Sequence, residues 1–368
     1  MSGATAQLQE FCRIVQGGRH GLSGNDFVPE GYPAYGAGGI NGFLSTYEFD
    51  EPAVILSAIG ARCGKCFYAE GKWTSLANTQ LIFPDRDRAD PKFLWYQLND
   101  ETRWHRSGTG QPFIKPADVK SHRVFLPPLP EQRRIAAILD KADALRAKRR
   151  AALAKLDELT QSIFLDMFGD PATNPKGWPI RSIEDVATIV SGATPRTDVA
   201  EYWDGDVNWV TPKELSGLEG IYLDATERRI TEAGLQSCAA SVLPAGSVLF
   251  SSRAPIGHTA ICTVPMATNQ GFKSFVPKHE VLDPHFLLFW LRLRKSYLEG
   301  LGTGATFKEV SKAVVARIAL GVPPIDVQKS FAEIVRRLEQ LRRTQHAARS
   351  ESDAVFASLQ HRAFEGAL

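Results

Sequence analysis

Residues 127–170 read PPLPEQRRIAAILDKADALRAKRRAALAKLDELTQSIFLDMFGD, and their apolar positions recur in alternating steps of three and four. The series is Ile135, Ile138, Ala142, Leu145, Arg149, Ala152, Leu156, Leu159, Ile163 and Asp166, apolar except at Arg149 and Asp166. This is the seam of a long helix that needs a partner helix. Pro127, Pro128 and Pro130 hold the entry extended and then suit the first helical turn. Gly169 and Pro171 supply the stop.

A shift of 196 residues finds the partner in the same chain. Leu126-Pro127-Pro128-Leu129 becomes Val322-Pro323-Pro324-Ile325, Gln132 becomes Gln328, and Phe168 becomes Phe364. The second seam reads Phe331, Ile334, Leu338, Leu341, Gln345, Ala348, Ser352, Val355, Leu359 and Arg362. Its polar breaks, Gln345 and Arg362, align with Arg149 and Asp166, which argues for duplication more strongly than shared apolar positions. A chain running out along one helix and returning along the other predicts an antiparallel pair. Placing the centre of symmetry at the helix midpoints sets Arg149 against Gln345, a polar layer that fixes register.

The repeat continues outside the helices. Asp90-Pro91 and Asp283-Pro284 each open an apolar, aromatic helix. Val54–Ser57 and Val248–Ser251 read as short buried strands followed by turns, and Gly108-Thr109-Gly110 recurs as Gly302-Thr303-Gly304. The expected order is a globule over 1–126, a long helix over 127–170, a second globule over 171–322 and a second helix over 323–368. The fold class is α/β (α+β): two mixed globules with curved sheet and an internal pseudo-two-fold repeat.

Composition adds bounds. The chain has 368 residues, 43% hydrophobic and 23% charged, in the range of ordinary soluble proteins. It holds no run of apolar residues long enough to span a membrane, and its first residues lack the pattern of a signal peptide. Five cysteines, an odd number, fit a reducing cytoplasm. Both globules, 1–126 and 171–322, carry zero net charge, so tight DNA binding by this chain alone is not expected.

Catalytic motifs are missing. Cys63-Gly64-Lys65-Cys66 has no second ligand pair at zinc spacing, and Phe67-Tyr68-Ala69 looks like a continuing strand, so the cysteines read as structural or incidental. Gly36–Gly42 misses the dinucleotide spacing and reads as a flexible surface loop. His258 reads as structural. No phosphate-binding loop, metalloprotease helix, nucleophile elbow, methyltransferase tetrapeptide or nuclease core is found.

LPPLPEQRRIAAILDKAD with its helix, and MFGDPATNPKGWP at the junction, resemble the specificity (S) subunit of type I restriction–modification systems across nearly the whole chain. The resemblance implies that each globule is a target recognition domain reading one half of a split site in double-stranded DNA. It implies that the helices form an antiparallel coiled coil that sets the spacing and docks two methyltransferase (M) subunits, with restriction (R) subunits joining the full complex. No catalysis, metal or cofactor is then expected here; S-adenosylmethionine, ATP and magnesium belong to the partners. One departure from the family is size: the first globule is the smaller, which implies trimmed edges.

Side-chain chemistry and loop placement nominate DNA contacts, because Arg and Lys pair with guanine edges, Asn and Gln with adenine, and Ser and Thr with either or with phosphate. In the first globule these are Tyr35, Arg62, Lys65, Lys72, Asn78, Thr109 and Gln111; in the second, Arg196, Lys213, Ser252, Arg253, Asn269, Gln270, Thr306 and Lys308. Two rival classes fit the bare pattern: a coiled-coil structural or regulatory protein outside restriction–modification, and a self-contained enzyme with cryptic residues.

Overall fold

Leu129–Phe168 and Ile325–Phe364 are each a single helix of 40 residues in a computed structural model, about 60 Å long at 1.5 Å per residue. The structure describes all residues except 1–4, 19–21, 23, 109 and 305–307. The first long helix ends at Gly169, whose φ of +79° and contact with the Pro175 ring leave no room for a Cβ.

The chain divides into two compact units, Met1–Arg149 with Ala348–Leu368, and Arg150–Ala347. Each unit takes about half of each long helix. The reason is packing. In the first unit Ile135, Ala136 and Leu139 share a core with Phe93, Tyr96, Ala363 and Phe364. In the second, Phe164 and Phe168 pack with Phe286 and Phe331.

The first unit holds a four-stranded antiparallel sheet in the order Cys12–Gln16, Thr79–Pro84, Ala53–Ser57, Cys66–Ala69. A second sheet runs Gly39–Leu44, Tyr32–Gly36, Lys72–Ser75, Phe49–Asp50, with Tyr32–Gly36 parallel to Lys72–Ser75. The second unit repeats the first sheet as Ala187–Ser191, Lys273–Pro277, Val248–Phe250 and Thr259–Cys262, with Tyr222–Leu223 added in parallel at the edge. Its smaller sheet again contains a parallel pair, Trp203–Val210 beside Ala267–Thr268. The expected α/β (α+β) class with an internal repeat is what the chain adopts. Gly36–Gly42 is not a flexible loop but the tight end of a hairpin, with Gly36 opposite Gly39. Cys63 and Cys66 are buried and donate to the carbonyls of Ala58 and Leu98; burial pushes the Cys66 thiol up, and both side chains pack as core.

The repeat is strict where each globule meets its helix. Gln132 is fully buried; its oxygen accepts from Asp90 N at 2.8 Å and its nitrogen donates to the carbonyls of Arg88 and Pro127. Gln328 does the same with Asp283 N and the carbonyls of Val281 and Pro323.

Between the helices the seam differs from the heptad reading. Leu145, Leu159, Leu341 and Val355 are 45–52% exposed. Arg146, Thr160, Arg342 and Phe356, the next residues along, turn inward instead. A straight helix drifts about 20° per heptad, and the ends of both helices are fixed by their globules, so a strict heptad cannot face inward throughout. Arg149, expected to meet Gln345, donates from Nη1 to Ser352 Oγ within the first unit. The polar layer falls one turn away and is ionic. In the first unit Arg146 Nε donates to Asp353 at 2.5 Å and Nη1 to Asp143 at 3.0 Å. In the second, Arg342 Nη2 donates to Asp157 at 2.5 Å and Nε to Glu339 at 3.0 Å. The two sets are the same set displaced by 196 residues. Numbering falls along one helix as it rises along the other, with Arg134 bonded to the Leu368 carbonyl, so the pairing in the first unit is antiparallel. Phe331 beside Phe168 shows the same in the second. Both of these contacts between the helices are charge-assisted, the stronger kind of hydrogen bond.

The two layers differ in burial. Glu339 and the Arg342 side chain are 5% and 10% exposed, against 36% and 21% for Asp143 and Arg146. Arg342→Met strands a buried carboxylate and is expected to cost about 3 kcal/mol or more, whereas Arg146→Met costs about 1 kcal/mol. Denaturant unfolding of the two variants checks the order; equal losses contradict it.

Candidate nucleic-acid interface

Loops from separate strands converge at one end of each unit. In the first unit the segment after Ala53–Ser57 is the hub. Ala58 N donates to the Asn78 carbonyl, Gly60 N to that of Pro112, and Ile114 N to that of Ala58, all at 2.9 Å. Arg62 reaches across to the Gly38 carbonyl at 3.0 Å, and Lys65 N donates to the Arg62 carbonyl. Asn78, at φ +65°, ends the tight turn that follows Lys72–Ser75. Arg62, Asn78 and Gln111 are thus exposed on mutually bonded loops, with Lys65 half-buried beside them. Tyr35 is half-buried, edge-on to Trp73 at 6.0 Å, and burial raises its hydroxyl, so it is partly core. Lys72 lies at the opposite end of its strand from Asn78, over the Tyr47 ring at 4.7 Å, away from this cluster. Thr109 lies outside the described residues.

The second unit repeats the hub with different chemistry. Ser252 N donates to the Gly271 carbonyl at 2.8 Å, Val310 N to that of Ser252, and Ala254 N to that of Lys308. Ala193 N donates to the Thr268 carbonyl, and Thr194 Oγ1 to Gln270. Asn269 Oδ1 caps the turn by accepting from Gly271 N, and Pro212, next to Lys213, sits close to Gly271. Arg196, Lys213, Gln270 and Lys308 are exposed around this hub, with Arg196 paired to Asp198 at 2.7 Å. Ser252 is a correction: it is fully buried, and its hydroxyl also donates to the Gly271 carbonyl, so it holds the loop and offers nothing to a base. Thr306 lies outside the described residues.

Arg253 is held by a residue that the sequence does not signal. Its guanidinium donates to Glu309 Oε2 at 2.7 Å, while buried Lys273 donates to Oε1 at 3.2 Å. The equivalent bridge in the first unit is apolar, Ile59 against Phe113. Lys273 sits in a strand that reads as core, and nothing at Glu309 marks it as a clamp until the fold brings it to Arg253. Burial alone would raise the Glu309 carboxyl, but the bonds from Arg253 and Lys273 outweigh it and hold the group below the usual carboxylate range. A lowered carboxyl contributes stability above its unfolded value and loses it as pH falls through the folded one. Glu309→Gln therefore destabilises the second unit at neutral pH, and the difference from wild type fades below about pH 4. Melting temperature against pH measures this; a difference that grows on acidification contradicts it.

Among the described residues no group of His, Cys, Asp or Glu is placed to hold a metal, and no helix is long and apolar enough to cross a membrane. The architecture has known counterparts. The crystal structure of a type I restriction–modification S subunit from M. genitalium covers 98% of this chain and 96% of its own, with a TM-score of 0.65 at 16% identity. A chain from a study of type I R-M complex assembly covers 100% and 99%, at 0.58 and 19%. In sequence, the MjaIX specificity subunit of Methanocaldococcus jannaschii is 36% identical over 168 residues, 45% of this chain but only 39% of that relative. The EcoR124I/EcoR124II specificity subunit of Escherichia coli is 23% identical over 308 residues, 80% of this chain and 74% of its own. These likenesses do not favour a coiled-coil protein outside restriction–modification. Residues 4–155 and 175–351 match the type I restriction modification DNA specificity domain, once in each repeat, and the chain belongs to that family.

Proposed function

We propose that each unit reads one half of a bipartite site in double-stranded DNA, and that the paired helices set the spacing and carry two methyltransferase subunits. The observation that supports this best is the duplicated loop hub: one scaffold, built twice, presenting Arg62, Asn78 and Gln111 in one copy and Arg253, Gln270 and Lys308 in the other. The scaffold is fixed by backbone bonds while the presented side chains differ, as expected of two readers of different sequences. With both globules net neutral, partner subunits supply much of the phosphate contact, and the chain alone binds DNA weakly. Methyl transfer with S-adenosylmethionine, and ATP- and magnesium-dependent cleavage by restriction subunits, fall to those partners in the cytoplasm; this chain itself is non-catalytic.

The exposed apolar residues support docking. Leu145 and Val355 lie at nearly the same level of the helix pair in the first unit, and Leu159 and Leu341 in the second. The two patches are repeat copies, suited to the same partner bound twice.

Replacing residues 171–322 with another second globule is expected to change one half of the methylated sequence, read by methylome sequencing; a change in both halves defeats the modular reading. Leu145→Lys with Val355→Lys is expected to leave one methyltransferase subunit per chain in native mass spectrometry, and two retained subunits exclude this patch as the dock.

A further inference from the structure

Below the reading hub, the second unit holds a polar chain that DNA reading by the loops does not use. Asp283 caps the helix Pro284–Leu293, and its Oδ1 accepts from His285 N at 2.7 Å and lies 2.9 Å from His285 Nδ1. Both residues are buried, 8% and 4% exposed. A carboxylate at Nδ1 places the proton there, which leaves Nε2 to accept from the Tyr222 hydroxyl at 2.7 Å. The dyad thus fixes Tyr222, whose side chain lines an open cleft of about 470 Å³.

The other walls are Thr263, Arg336, Glu339, Gln340 and Arg343. The Arg343 guanidinium carbon lies 5.7 Å from the Tyr222 ring centre. Glu339 is already committed to Arg342. Among the described residues neither Arg336 nor Arg343 forms an ion pair, so two guanidiniums meet one cleft without a carboxylate of their own.

The duplication supplies an internal control. Gln132 and Gln328, or Arg146 and Arg342, recur because the fold needs them. This constellation does not recur. Where the second unit has His285, Arg336 and Arg343, the first has Lys92, Asp140 and Ala147. There the charges cancel: Asp140 accepts from Lys92 at 3.0 Å and from the Tyr96 hydroxyl at 2.8 Å. The unpaired cations of the second unit are therefore not a requirement of the scaffold.

We propose that the Tyr222–Arg336–Arg343 cleft binds a phosphate ester. The two guanidiniums face its oxygens, Gln340 adds a neutral donor, and the tyrosine held by His285 forms one wall. Arginine forks are matched to phosphate geometry, and bonds with ionised partners are the strong ones. The same group is carried by a free mononucleotide and by the DNA backbone, and the experiment separates them.

The full chain is titrated with inorganic phosphate and with deoxyadenosine 5′-monophosphate by calorimetry, and with a short random-sequence duplex by anisotropy at several salt concentrations. The variants are Arg336→Gln/Arg343→Gln and, to keep the cleft's shape, Tyr222→Phe, each checked for folding by circular dichroism. Saturable wild-type binding of the mononucleotide that falls about tenfold or more in the double variant, and less in Tyr222→Phe, supports the site. If the duplex also weakens, with a salt slope shallower by about two, the phosphate is the DNA backbone's. If duplex binding is unchanged, the site takes the free ester. Absence of saturable wild-type binding, or wild-type affinity of the folded double variant for all three probes, overturns the proposal. Neither outcome touches the half-site reading, which the methylome experiment tests separately.

Discussion

A buried carboxamide at the start of each long helix is the constraint on which the rest of the molecule depends. Gln132 and Gln328 each join three backbone segments: the turn before the Asp-Pro helix, that helix's cap, and the proline entry to the long helix. A neutral amide suits the place because all three partners are backbone groups that burial would otherwise leave unsatisfied. Fixing the Asp-Pro helix fixes the sheet packed on it, and the sheet fixes the loops at its end. The reading hub is thus oriented against the helix by hydrogen bonds that carry no sequence information about DNA.

Much of this was legible in the sequence, and the limits were physical. The two helices, the antiparallel course and the duplication followed from apolar spacing and the proline entries. The alignment of Gln132 with Gln328 marked the clamp, though not its partners. Register does not follow from the helix midpoints, because it depends on which partners are within reach: Arg146 meets Asp353 and Arg342 meets Asp157. Leu145, Leu159, Leu341 and Val355 fit a heptad but stand outside, because helix ends bound to globules do not supercoil freely. In the hub, exposed Arg62, Asn78, Gln111, Gln270 and Lys308 and half-buried Arg253 are residues that side-chain chemistry and loop placement single out. The buried role of Ser252, the remote position of Lys72 and the Glu309 clamp required strands distant in sequence to meet.

The two copies of the hub also show what the fold fixes and what it leaves open. Backbone bonds recur at matching places, while the bridge between loops is apolar at Ile59 and Phe113 and ionic at Arg253 and Glu309. A scaffold whose integrity rests on main-chain groups tolerates exchange of the side chains it displays.

The ionic layer has a consequence for how such a molecule arises. Arg146 and Asp157 lie on the same helix, and each has its counterpart, Arg342 and Asp353, on the other. The first long helix therefore contains both halves of its own bridge and is complementary to a reversed copy of itself. A chain of one globule and one helix already encodes the contact that two such chains need to associate. Tandem fusion of its gene invents no interface; it adds only the connection from Gly169 to Trp178.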